Sequence, residues 1–151
     1  MLSQGAYNGP MWARRILGLV LVAMGVGKLS DPSGYATALL AFRVIPAGAV
    51  HSVAWVWLAA ELLAGALLLA KKGRAGGMLA IAINVAYAAL TTQAYARHLA
   101  VDNCTCFGVH LRQRLSWFVL AQDAYMVALS VYVFVVARRS TRRARAESPA
   151  R

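Results

Sequence analysis

Four long apolar runs set the terms for this chain. Residues 16–27, 53–70, 75–92 and 117–137 carry few charges, with only the short basic segment 71–74 between the second and third. A helix that crosses the hydrocarbon core of a bilayer needs about 20 mostly apolar residues. The first run reaches that length when extended from Met11 to Leu29, and the others reach it with their flanks. The sequence therefore predicts an all-α integral membrane protein, a four-helix transmembrane bundle with helices over about 11–29, 48–70, 75–96 and 116–137. These form a single domain over about 1–137, followed by a basic tail at 138–151 that is expected to be disordered. The apolar excess agrees: 60% of the 151 residues are hydrophobic, against about 45–50% in an ordinary soluble domain. Arg14 and Arg15 precede the first run, but it ends in Lys28-Leu29-Ser30-Asp31-Pro32. A small-residue cleavage site is missing there, which predicts a retained helix in place of a signal peptide.

The net charge of +11 invites a nucleic-acid reading, but the distribution of the cations argues for topology instead. Arg14, Arg15, Lys71, Lys72, Arg74, Arg138, Arg139, Arg142, Arg143, Arg145 and Arg151 precede the first helix, lie between the second and third, or follow the fourth. Four helices bring those three segments to one side, and the excess of Lys and Arg makes that side cytoplasmic. Both termini are then expected in the cytoplasm of a bacterium, with a multi-pass chain in its inner membrane. The tail is expected against anionic head groups.

Between the first two spans, Ser30-Asp31-Pro32-Ser33-Gly34 is a turn signal. Ser30 or Asp31 can cap a short helix that has Pro32 in its first turn. Residues 33–45 are too short to span, and Tyr35, Ala38, Leu39, Phe42 and Ile45 recur at helical spacing. They predict an interfacial helix over about 33–45, ended by Pro46. Trp55 and Trp57 suit a level near the outer interface. Within the spans, Asn84, Tyr87 and Thr91 form one polar stripe and Ser116, Asp123 and Ser130 another. Lys28, Glu61 and Asp123 fall in or near predicted spans. Charges there are costly and face the bundle interior with partners, which makes Lys28 and Glu61 a candidate pair.

Both cysteines, Cys104 and Cys106, lie in the polar segment between the third and fourth spans, on the extracytoplasmic side of this topology. Disulfides persist in an oxidising compartment, but a ring this short constrains the unfolded chain little. A strained or exposed pair exchanges readily. That points to a redox-active couple before a staple. Positive neighbours raise the thiolate share, and the loop offers Arg97, His98, His110, Arg112 and Arg114 against Asp102. Asp123 lies beneath the loop as an anchor for its amides or a proton acceptor for a thiol. His98, Cys104, Cys106 and His110 also make a possible two-sulfur, two-nitrogen zinc set, with a C-x-C spacing shorter than usual.

These residues together resemble the MauE family, the membrane component of methylamine utilisation, within a wider DoxX-like group of four-helix membrane proteins. The likeness rests on "GVGKLSDPSGY", on Pro46, on "ELLAG" from Glu61 to Gly65, on "CTCFG" from Cys104 to Gly108, and on the Gln122-Asp123 pair. It covers about residues 14–137. The resemblance implies disulfide formation or thiol transfer outside the cytoplasm, with a thioredoxin-like partner. It carries the redox cysteines onto Cys104 and Cys106 and sets Phe107 and Gly108 beside them in the motif. By analogy with other four-helix disulfide-generating membrane proteins, a quinone near Asp123 and Trp117 is a candidate electron acceptor. Those proteins commonly use two cysteine pairs, where this chain has one. The readings that compete with a thiol–disulfide oxidoreductase are a non-catalytic membrane scaffold or assembly subunit and a metal-handling membrane protein. The expected partners are the lipid bilayer and the thioredoxin-like protein, with no nucleic acid.

Overall fold

A computed structural model describes residues 9–104, 106 and 112–146. The described residues fold into five helices and no strand: α1 Gly9–Leu29, α2 Pro32–Leu40, α3 Val50–Leu69, α4 Gly73–Ala96 and α5 Trp117–Ala146. Three of them, α3, α4 and α5, are long and apolar enough to cross a membrane. A fourth span is present if α1 and α2, which meet at a bend of 96°, count as one. Helix α1 packs on α3, α3 on α4 and α4 on α5, and α5 returns to α1.

The outward faces are apolar. Trp12, Leu19, Val56, Met78, Trp117 and Tyr125 are all more than half exposed. Water would penalise such a surface, while lipid tails accept it. The inward faces use small residues for close approach. A Cβ on Gly65 would come within 2.9 Å of the Gly18 carbonyl oxygen and 2.7 Å of Val22 Cγ2. Only a glycine lets α1 and α3 pass this closely.

Two expectations need correction. The second helix stops at Leu40, well before Pro46. Asp31 caps its start, its Oδ1 accepting from the Gly34 amide at 2.8 Å, with Pro32 in the first turn. After Leu40 the chain turns through Arg43, whose φ of 53° ends any right-handed helix. Phe42 is buried at that turn against Ala94 and Val101. The last helix, in contrast, runs past residue 137 to Ala146. Alanine and arginine are good helix formers, and neither glycine nor proline interrupts 138–146. So that part of the expected disordered tail is helical, and residues 147–151 lie outside the described residues. Trp57 turns inward onto Tyr87, with ring centroids 4.8 Å apart, while Trp55 is exposed. Positions two apart on a helix point about 200° apart, so the two tryptophans face opposite ways.

A candidate thiol site over a buried ion pair

The site is built from the inner faces of α1, α3, α4 and α5. Lys28 closes the last turn of α1 and is fully buried, as is Glu61 of α3. The Lys28 ammonium donates to both Glu61 oxygens, at 2.6 and 2.7 Å. It also donates to the Tyr87 hydroxyl on α4, which in turn donates to Glu61 Oε1 at 2.6 Å. The three side chains thus satisfy one another, as groups removed from water must. Helix α2 folds back as a lid on this end of α1: its Tyr35 ring lies 5.3 Å from Lys28 Nζ. The pairing also explains the depth of Lys28. Gly25 meets Leu62 and Gly18 meets Leu68 and Leu69, so α1 and α3 run antiparallel. In that register the first turns of α3 project beyond the end of α1 and are covered by α2 through Tyr35, Ala36 and Leu39.

A second polar layer joins α4 to α5. Thr91 donates to Asp123 Oδ2 at 2.6 Å, and Asn84 Nδ2 donates to Ser130 Oγ at 2.9 Å. The two stripes read from the sequence therefore face each other across this helix pair. Ser116 stands just ahead of α5, where its carbonyl accepts from the Val119 and Leu120 amides. Asp123 thus accepts from a threonine hydroxyl. Among the described residues the two ends of the cysteine segment are held by backbone pairing: the Cys104 amide donates to the Gln113 carbonyl at 2.8 Å, and the Leu115 amide to Val101 at 3.0 Å.

Cys104 and Cys106 are buried, at 1% and 3% exposure, within the same core as Met24, Tyr87 and Val119. They do not stand out from the surface as a free loop would. Their sulfurs are 3.3 Å apart, and Cys104 Sγ lies 3.8 Å from Gln113 Oε1. Gln113 Nε2 reaches toward Gln122 Oε1 at 3.4 Å. The hydrogen bond from the Cys106 thiol draws the Cys104 thiol down to about 7, against the opposing effect of burial. Cys106 keeps the shared proton and is pushed up by that bond and by burial. The charges of Asp123 and Lys28 both act on the Cys106 thiol, in opposite senses. The pair shares its core cluster with Tyr87, the phenol that holds the ion pair.

The remaining expected residues divide. His98, at a φ of 52° after α4, and Arg112 are exposed and lie outside the buried cluster. Arg112 lines an outer cavity of about 540 Å³ with Asp31, Thr37 and Asn103. Phe107, Gly108 and His110 lie outside the described residues. Among the described residues no three His, Cys, Asp or Glu side chains gather as a metal set. Gln113 and the inward aim of Trp57 were not singled out from sequence. Tyr35 was read only as part of the apolar face of the short helix, not as a neighbour of Lys28.

An α-helical membrane protein with two buried thiols and a buried ion pair is the class that fold and site define. Its family follows from comparison with known proteins: the model of the family described as "Methylamine utilisation protein MauE" matches residues 9–136, and the chain belongs to that family. No curated protein and no solved structure matches it.

Proposed function

We propose that this protein is a membrane-embedded thiol–disulfide redox protein whose couple is Cys104 and Cys106. In this reading the three long helices and α1 form a four-helix transmembrane bundle, with α2 lying in the outer interface and the cysteine segment on the extracytoplasmic side. The observation that carries the reading is the pair itself: two thiols 3.3 Å apart, with the hydrogen bond from Cys106 favouring the thiolate of Cys104. A thiol near 7 is a competent thiolate nucleophile at neutral pH.

A thiolate of a reduced thioredoxin-like partner attacks the Cys104–Cys106 disulfide at Cys104 and releases Cys106 as the leaving thiol. The partner's second thiolate then breaks the mixed disulfide, leaving the partner oxidised and both cysteines here reduced. The two thiols next give two electrons and two protons to a quinone dissolved in the bilayer, which leaves as quinol while the disulfide re-forms. Lys28 and Asp123 set the charge around the sulfurs during these steps. Burial of both sulfurs means that exchange with a protein includes a step that uncovers Cys104.

The same burial favours a second reading, in which the cysteines act as small apolar residues that pack the loop of a scaffold or assembly subunit. The two readings part on trapping. With Cys106→Ser, the redox reading expects a mixed disulfide between Cys104 and an extracytoplasmic thioredoxin-like protein, seen as a reducible adduct and identified by mass spectrometry. The scaffold reading expects no adduct from Cys106→Ser or from Cys104→Ser, and unchanged function when both cysteines are replaced by serine.

A further inference from the structure

At the opposite end of the helices from the cysteines lies a cavity of about 760 Å³. Its walls are the start of α1, the α3–α4 turn with the first residues of α4, and the second half of α5. Four cations line it: Arg14, Lys71, Lys72 and Arg74. No carboxylate does, and the described acidic residues, Asp31, Glu61, Asp102 and Asp123, all lie elsewhere. Apart from Ser140 the remaining wall is apolar, with Met11, Met78, Val133 and Val136. Two further features point to an anion. The Arg14 Nε is shielded from solvent and has no hydrogen-bond partner. The first turn of α4 opens here with no side-chain cap, so its amides and the positive end of the helix dipole are turned to the same space.

We propose that this cavity is a binding site for an anionic phospholipid of the surrounding membrane. The phosphate sits among Arg14, Lys71, Lys72 and Arg74 and over the first amides of α4, and the upper part of an acyl chain lies against Met78, Val133 and Val136. A cationic pocket with an apolar wall at the end of membrane helices matches an anionic amphiphile in both charge and polarity. A soluble phosphate would leave the apolar wall unused, and a zwitterionic lipid would bring a cation toward an already cationic pocket. Gly73 keeps the pocket narrow on one side: a Cβ there would come within 3.2 Å of Ala137 and 3.4 Å of the Arg14 side chain. The site is independent of the thiol chemistry, and its lipid ties this end of the helices to the anionic leaflet.

The test uses the full chain in nanodiscs containing equal amounts of phosphatidylglycerol and phosphatidylcholine, followed by extraction in mild detergent and native mass spectrometry of the lipid retained. The account expects phosphatidylglycerol to be retained about tenfold over phosphatidylcholine. The triple variant Arg14→Gln, Lys72→Gln, Arg74→Gln should lose that preference. The control Arg15→Gln, Arg138→Gln, Arg139→Gln removes as many charges from exposed positions and should keep it. Val136→Trp crowds the cavity without touching a charge and should also lose the preference while keeping the parent's unfolding midpoint, which separates a site from a failure to fold. Equal loss in the groove and control triples overturns the site in favour of diffuse surface attraction. Displacement of the retained lipid by millimolar inorganic phosphate overturns it in favour of a simple anion pocket.

Discussion

Lys28 and Arg14 sit on one helix, yet the protein treats their charges in opposite ways. Lys28 is fully buried and meets a carboxylate and a phenol at hydrogen-bond distance. Arg14 lines an open cavity beside three other cations, with no carboxylate on its walls. A charge placed within the helix assembly must bring its counter-charge from another helix, because lipid supplies none. A charge at the end of the assembly can leave its counter-charge to the membrane surface. The buried end therefore fixes internal geometry, and the open end is suited to take up something from outside.

The contrast is broken most sharply by removing one partner from the buried pair. Lys28→Met strands Glu61 in the core and is expected to cost about 3–5 kcal/mol. Most of that should return in the double variant with Glu61→Leu, since an apolar pair of similar volume carries no unpaired charge. Thermal or denaturant unfolding in detergent reads both, and a Lys28→Met protein as stable as the parent contradicts the buried pair. Next in size is Thr91→Val, which keeps the shape and deletes the hydroxyl that donates to Asp123; its expected cost is about 1–3 kcal/mol. At the exposed end the same measurement should barely move. Arg14→Gln breaks no internal ion pair and should stay within about 0.5 kcal/mol of the parent. Arg114→Gln should be smaller still, since its ion pair with Asp102 at 3.2 Å has both side chains at least 80% exposed.

A reactivity profile sharpens the same comparison at the thiols. Cys104 is held down to about 7 by the hydrogen bond from Cys106. Above that pH it is a thiolate and alkylates; as pH falls through about 7 it takes up its proton and the rate drops. Mapping N-ethylmaleimide on the Cys104 peptide against pH should give a midpoint near that value. In Cys106→Ala the stabilising donor is gone, so the midpoint should move upward and the rate at pH 7 should fall. An unmoved midpoint would sink the assignment of Cys104 as the ionised partner.

Much of this arrangement was legible in the chain, though not all for the same reason. The three spans at α3, α4 and α5 were, because long apolar runs report the bilayer directly. The two polar stripes were, because Asn84, Tyr87 and Thr91, and likewise Asp123 and Ser130, keep helical spacing against an apolar background. Their mutual pairing was not, since spacing gives a face but not the face opposite. The end of α2 was missed because a left-handed turn at Arg43 leaves no glycine or proline to mark it. The burial of Cys104 and Cys106 was missed because a polar stretch between spans reads as surface. Here backbone pairing of Cys104 with Gln113, and of Leu115 with Val101, folds that stretch inward. Trp57 and Tyr35 were hidden in plain aromatic positions whose inward aim depends on how α2 covers α1.

The central claim is that Cys104 and Cys106 form a reversible couple, and one measurement meets it directly. The purified protein is equilibrated in nanodiscs across a series of glutathione redox buffers, quenched in acid, and its free thiols counted by mass after alkylation. The account predicts a two-electron transition in which both thiols are lost together, with the ratio of the two forms changing tenfold per about 30 mV. Two alkylated thiols at every potential, with no intramolecular disulfide formed, would contradict it.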